Sequence, residues 1–360
     1  MPRLEYTDHR KDPQAWATAL GVSREAIDVY LASDVIDLHV DSFIWHRIFG
    51  YDLTTRHDHG LLGARFYSQV DLPRIREAQV TGACWVITTN PARVATERRD
   101  AFVRNIEELR RILSSCPDDV AIVRNAREYR AARAAGKHAA FIGIQGGNAL
   151  DADPSAIDLI PDDLVLRVTL VHLSSSSLGV TSSPAAGRAR SKGLTEAGRR
   201  YVRRLNEKNV FVDLAHISRE GFWEALEVHD KKKPAIVTHT GIDSVHPHWR
   251  NIDDRQVQAI AESGGTIGIM YHGQFLDGPY FGGKADAIVD HLARIVEVAG
   301  EDYASLGSDW DGAISTPRDM PTCLELPVLV ERMLRRGWSG ERIGKILGGN
   351  ALRAIERLRG

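Results

Sequence analysis

An H-x-D pair, His39 and Asp41, closes a short apolar run early in the chain, and five later runs end in comparably polar residues. Gln145 ends one, His172 the next, Asp213 and His216 the one after, and His239 a fourth; Asp309 and Asp311 close the last. Alternate residues of a strand point to one side, so His39 and Asp41 can converge on a single point. Each residue taken alone has an ordinary use, because a histidine in a strand is usually a hydrogen-bonded structural group. Together they are neutral imidazoles plus carboxylates, the ligand set of zinc and related divalent ions. Such a set supports metal-assisted hydrolysis. Asp213 reads instead as a polar residue that orients a neighbour.

These residues must be positioned by the runs they end. The runs are 35–40, 80–89, 139–145, 164–173, 210–217, 235–240, 265–272 and 304–312, each short and rich in Val, Ile and Leu. Their first halves are apolar on both faces, as parallel strands covered on both sides are. Amphipathic stretches at 96–114, 194–207, 253–263 and 284–299 carry apolar residues at three- and four-residue intervals. Asp253 is placed to cap the third of these. Helices are also expected at 23–31 and 340–358. Eight strands alternating with helices predict an α/β fold, a (β/α)8 TIM barrel, in which active sites lie at the C-terminal ends of the strands. A doubly wound sheet is disfavoured because no GxGxxG turn follows the first run. The expected organisation is one barrel over 1–360, with an N-terminal helical extension of about residues 1–33 and a C-terminal helix. The long loops at 174–193 and 273–283 are expected to wall the site.

The chain has 360 residues, 43% of them hydrophobic and 26% charged, with a formal net charge of −2. That balance offers no electrostatic footprint for nucleic acid or an anionic membrane surface. Neither nucleic acid nor a membrane is therefore an expected partner. Cys84, Cys116 and Cys323 form neither a disulfide framework nor a metal-binding pair. The N-terminus lacks the apolar core of a signal peptide, and no apolar run has the length of a membrane span. A reducing cytoplasm is the expected location.

Several ordered blocks resemble the membrane (renal) dipeptidase family of zinc peptidases, a branch of the amidohydrolase-like, metallo-dependent hydrolase barrels. They are VIDLHVDSF, QVDLPRIREAQVTGACWVI, VTLVHLSSSSLG, GLTEAGRRYVRRLNEKNVFVDLAHIS, THTGIDSVHPHWRNIDD, GSDWDG and KILGGNALR, spread over nearly the whole chain. The resemblance implies His39 and Asp41 as ligands of one zinc ion, and His216 and His239 as ligands of a second. It implies that His172 contacts substrate and steadies the tetrahedral intermediate. Arg250 is then the residue that binds the substrate's terminal carboxylate, and Asp309 the one that shuttles the proton. The implied activity is hydrolysis of a dipeptide or N-acyl amino acid. A homodimer is compatible with the resemblance and with the apolar content.

The block FIGIQGGNAL departs from the family, which has a bridging glutamate where Gln145 stands and commonly a histidine where Asn148 stands. A carboxylate bridges two ions with two anionic oxygens, whereas an amide offers one neutral acceptor and a donor face. Ions about 3.5–4 Å apart repel, and shared anions offset that repulsion. Three outcomes stay open: a weakened binuclear site, a single ion on either pair of ligands, or a metal-free site. The alternative functions are a weak or inactive homologue that binds a carboxylated metabolite, and another reaction on a small amide or lactone. Trp45, Tyr67, Tyr271 and Trp310 lie near strand ends, where they can line a pocket or pack.

Overall fold

The apolar runs form nine parallel strands: β1 (Ile36–Val40), β2 (Gly82–Thr88), β3 (Val120–Ile122), β4 (His138–Gln145), β5 (Val165–Thr169), β6 (Phe211–Asp213), β7 (Ile236–Thr240), β8 (Thr266–Ile269) and β9 (Ala304–Leu306). All but β3 are buried along their whole length, so both faces must be apolar or paired. The computed structural model describes residues 3–58, 63–152, 155–186 and 192–360.

Eight of the strands close into a barrel. The closing contacts are β2 against β4, from Gly82↔Ala139 to Thr88↔Gln145, and β1 against β9 at Asp37↔Leu306. The short β3 pairs only with the start of β4, from Val120↔His138 to Ile122↔Ala140. Farther along, that edge of β4 is taken by β5, from Ile142↔Val165 to Gln145↔Thr169. This register puts Thr88, Gln145 and Thr169 side by side where three strands end.

The expected helices are present, and Asp253 caps Asp254–Ser263 in a reciprocal box with Gln256. The C-terminal helix is interrupted. A wide-turned segment, Lys345–Gly349, separates Gly340–Gly344 from Asn350–Arg359. The wide turn lies close against the chain before β1: a Cβ on Gly348 would meet the Asp34 carbonyl oxygen at 2.5 Å. The last helix then closes the end of the barrel where the strands begin. Asn350 donates to the carbonyl of Ala304 at 2.7 Å, and Arg359 to that of Val165 at 2.6 Å. Ala351, Ile355 and Leu358 pack with Leu38, Cys84, Phe141, Phe211 and Ile236 in a cluster separate from the main core.

Four runs expected as longer strands stop early. β5 ends at Thr169, β6 at Asp213, β8 at Ile269 and β9 at Leu306. His172, His216, Asp309 and Asp311 therefore sit on the loops just beyond the strands rather than within them. The backbone explains part of this: His216, Asp309 and Asp311 have φ of 65°, 62° and 65°, a left-handed conformation that no strand accommodates. Among the described residues, no helix is long and apolar enough to cross a membrane. The three cysteines are buried and unpaired.

Candidate metal centre

The floor of the site is one hydrogen-bonded network beneath the strand ends. Fully buried Asp213 accepts from Thr169 Oγ1 and Thr238 Oγ1, each at 2.6 Å, and from Arg167 Nη1 at 3.1 Å. Its other oxygen accepts from the backbone amides of Ala215 and Thr238. The orienting role expected of Asp213 is what this geometry provides. Because the Thr238 hydroxyl gives its proton to Asp213, it accepts from Nδ1 of His239 at 2.9 Å. That leaves Nε2 of His239 with its lone pair.

Above the floor, the ligand candidates converge. Nε2 of His239 lies 2.8 Å from Nε2 of His216, and the His39 and His239 ring centroids are 3.8 Å apart. Two imidazole nitrogens at that separation share a proton. Asp309 Oδ1 lies 3.4 Å from Nε2 of His39, and ligating atoms of His39, His239 and Asp309 all fall within 4.8 Å of one another. Thr88 donates to Asp41, and Gln145 Oε1 lies 3.3 Å from the same hydroxyl. The Gln145 amide nitrogen lies 3.1 Å from Nε2 of His216.

Burial dominates the electrostatics. It holds His39, His216 and His239 far below the ordinary imidazole pKa, with neighbouring cationic groups acting in the same direction. It pushes Asp41 up to about 7 against the Thr88 hydrogen bond, and Asp309 well above the carboxylate range, where the nearby Asp41 charge adds to the shift. Arg250 is lowered to about 10 by desolvation, so it stays charged at neutral pH.

His172 stands edge-on to His216, with ring centroids 4.7 Å apart, and loss of water contact followed by the Arg250 charge lowers it to about 3. Arg250 donates to the His239 carbonyl at 2.6 Å, while its Nε is buried without a partner. A cavity of about 680 Å³ opens beside them, between residues 180–186 and 243–252, with His216 and Arg250 in its wall. Ser182, Ser183 and Pro184, from the loop expected to wall the site, line it too, whereas residues 187–191 of that loop lie outside the described residues. The 273–283 loop, with its short helix Gly273–Leu276, contributes nothing to this cavity.

Asp311 is not among the converging groups. Its carboxylate accepts from Ser42 and from the amides of Gln69 and Val70, pinning the loop that leads to the helix before β2. Tyr271 and Trp310 are fully buried and pack edge to face at 5.6 Å, so they belong to the core. Trp45 and Tyr67 form a half-buried pair at 5.4 Å that also stays outside the cavity wall. Asn148 is buried, and its carbonyl accepts from Arg98 at 2.8 Å. Sequence reasoning missed Thr88, Thr169, Thr238 and Arg167. The last was detectable as the single charged residue within the apolar run LVLRVTLVHL.

A model of the membrane dipeptidase family (peptidase family M19) matches residues 23–359. The chain belongs to that family. A crystal structure of a dipeptidase described as a family M19 metallopeptidase is 25% identical, with TM-score 0.79, covering 91% of this chain and 98% of its own. A metallopeptidase from Rhodobacter sphaeroides, liganded with a phosphinate mimic of the dipeptide L-Ala-D-Ala, is 23% identical with TM-score 0.81, covering 91% and 99%. A probable dipeptidase from Pseudomonas aeruginosa is 18% identical with TM-score 0.80, covering 93% and 98%. The last two share the fold.

Membership of a metallopeptidase family implies a divalent ion, and the donors present test that implication. His239 fits one: a threonine–aspartate relay fixes its tautomer as outer partners of zinc-bound histidines do, and Nε2 of His216, whose buried Nδ1 has no partner, lies beside it. The His39 side does not fit a second. Nδ1 of His39 is 2.7 Å from Arg167 Nη2, a group with no acceptor, and the position between the two sides carries a neutral amide.

Proposed function

We propose that the protein hydrolyses small amides ending in a free carboxylate, dipeptides or N-acyl amino acids, with one zinc ion held by His216 and His239. The observation that carries this reading is Arg250, a charged guanidinium 3% exposed, with its Nε unpaired beside the cavity and the imidazole cluster. A buried cation with a free donor suits a carboxylate, which can take it in a charge-assisted hydrogen bond. The dipeptide mimic held by the Rhodobacter sphaeroides relative is a ligand of that class.

Held by His216 and His239, a zinc ion would supply polarisation of the scissile carbonyl and a lowered pKa for water. The chain's own residues do the rest. Arg250 anchors the carboxylate and thereby sets which carbonyl lies at the imidazole cluster. His172, neutral at physiological pH, donates its N–H to the oxygen on which negative charge develops. Asp309, with its pKa raised by burial, takes the proton of the attacking water and passes it to the departing nitrogen. The water oxygen bonds to the carbonyl carbon, the C–N bond breaks, and the products are a carboxylic acid and an amine.

A panel of dipeptides, N-acyl amino acids, their C-terminal amides and lactones, assayed with added zinc, tests this. Turnover of carboxylate-terminated amides with poor turnover of the blocked forms is expected. Folded, zinc-saturated protein that turns over none of them overturns it. Gln145 favours a second reading, a homologue that binds such compounds without turnover, because its amide nitrogen faces the His216 lone pair. Calorimetric binding in the absence of hydrolysis would establish that reading.

A further inference from the structure

We propose that the Arg167 guanidinium is the fixed cation on the His39 side of the site, and that it holds His39 in the tautomer with its proton on Nε2, which withholds His39 from a metal ion. Arg167 sits in a built seat, buried at 1% exposure in the middle of β5. Nη1 donates to Thr169 Oγ1 at 2.6 Å and to Asp213 Oδ2 at 3.1 Å, and it lies 3.4 Å from the carbonyl of Ile144. The neighbouring strand makes room by carrying glycine: a Cβ on Gly143 would lie 2.7 Å from Arg167 Nε and 2.8 Å from Cys84 Sγ. The guanidinium is thus held in place from several sides, and the Asp213 carboxylate supplies its countercharge.

Its remaining contact is the decisive one. Nη2 of Arg167 lies 2.7 Å from Nδ1 of His39. Arginine only donates, so Nδ1 accepts and carries no proton. A neutral imidazole then has its proton on Nε2, which is buried without a hydrogen-bond partner and lies 3.4 Å from Asp309 Oδ1. Ligation of an ion through Nε2 needs the opposite tautomer, with Nδ1–H pointing at an acceptor, as ligating histidines generally have. Here that proton would meet a guanidinium N–H. His239 provides the internal contrast, since its Nδ1 faces the Thr238 hydroxyl that Asp213 has turned into an acceptor. One aspartate therefore prepares His239 for an ion directly and, through the cation it anchors, withholds His39 from one.

His39 then turns an N–H rather than a lone pair toward Asp309, the proton carrier of the proposed hydrolysis. That consequence rests on the hydrolase reading above, whereas the exclusion of an ion from His39 does not. It also alters what a glutamate at position 145 can achieve. Gln145→Glu restores the anion between the two sides, but it leaves the guanidinium on Nδ1.

The test uses intact protein, zinc alone as the probe, and two readouts independent of turnover. Long-range proton–nitrogen NMR of histidine-labelled wild type, assigned by loss of the His39 signal in His39→Gln, reports the tautomer. The expected result is an unprotonated Nδ1 and a protonated Nε2 at His39, unchanged when zinc is added, while the His216 and His239 signals shift. Native mass spectrometry counts ions. One zinc per chain is expected in wild type and in Gln145→Glu, and two in Gln145→Glu combined with Arg167→Met. A protonated Nδ1 at His39, loss of its Nε2 proton on zinc addition, or two ions in wild type overturns the proposal. The wild-type spectrum decides the question even if the Arg167 variant fails to fold. The substrate panel can fail without moving either readout, so the two proposals fail separately.

Discussion

Replacing Arg250 with alanine isolates the substrate anchor. In the folded protein the side chain is 3% exposed, its charge is retained, and one of its nitrogens has no partner until a ligand arrives. A hydrogen bond between charged partners contributes about 1.5–3 kcal/mol. At ~1.4 kcal/mol per factor of ten, its loss raises KM for a dipeptide by roughly 10- to 150-fold. Arg250 also supports the His239 carbonyl through a 2.6 Å bond, so the variant alone mixes anchoring with local structure. A second substrate separates them. The ratio of kcat/KM for a dipeptide to that for its C-terminal amide should be roughly 10–150 in wild type and should fall to about 1 in Arg250→Ala. The assay is initial-rate release of amine over a range of both substrates at fixed zinc. If the variant loses activity toward acid and amide equally, with the ratio intact, Arg250 is a structural support and the anchor argument is wrong.

Asp309→Asn should lower kcat by about 10²- to 10⁴-fold with KM nearly constant, read in the same assay, because it removes the proton carrier and not the anchor. Gln145→Glu should tighten zinc at the His216–His239 pair by at least ~10-fold, since an anion replaces a neutral amide beside a doubly charged ion; competition with a chelating dye measures it. His138 is held neutral at the other end of β4, with Nδ1 2.8 Å from the Val80 carbonyl and Nε2 accepting from the Trp85 indole at 3.1 Å, and burial lowers its pKa to about 4. Its unfolded form takes up a proton near pH 6.5 and its folded form does not, so its contribution is complete above that pH and is lost as pH falls toward 4. Wild type should therefore lose as much as ~3 kcal/mol more than His138→Gln between pH 7.5 and 4, read from urea unfolding. Gly268→Ala would place a Cβ 2.0 Å from the Thr238 carbonyl oxygen and should destabilise by about 3 kcal/mol, seen as a lower urea midpoint.

Much of this arrangement was legible in the chain because a doubly covered strand leaves a run of β-branched residues. Those runs located the barrel strands and the polar residues that follow them. Their ends were harder to read. His216, Asp309 and Asp311 turn the chain through a left-handed backbone, and nothing in their residue types distinguishes that from one more strand residue. β3 has three residues, too few for periodicity to show. The family match supports the resemblance drawn from the motifs, while the roles of individual site residues rest on geometry and chemistry. The long-range partners were least visible. Arg167 is conspicuous as a charge in an apolar run, but its contact with His39 spans 128 positions and two strands. Asp311 ends the same run as Asp309, and its residue type does not separate it from the site residues. Its actual partners, Ser42, Gln69 and Val70, lie more than 240 positions away.

A single-ion hydrolase anchored on a substrate carboxylate needs one zinc per chain and no more. The most direct measurement titrates zinc into metal-stripped wild-type protein and follows bound ions by native mass spectrometry and dipeptide hydrolysis in parallel. Activity should rise in step with the first ion and reach its plateau at one zinc per chain. Activity that requires a second ion, or that is already full in the stripped protein, would rule out a single-ion hydrolase.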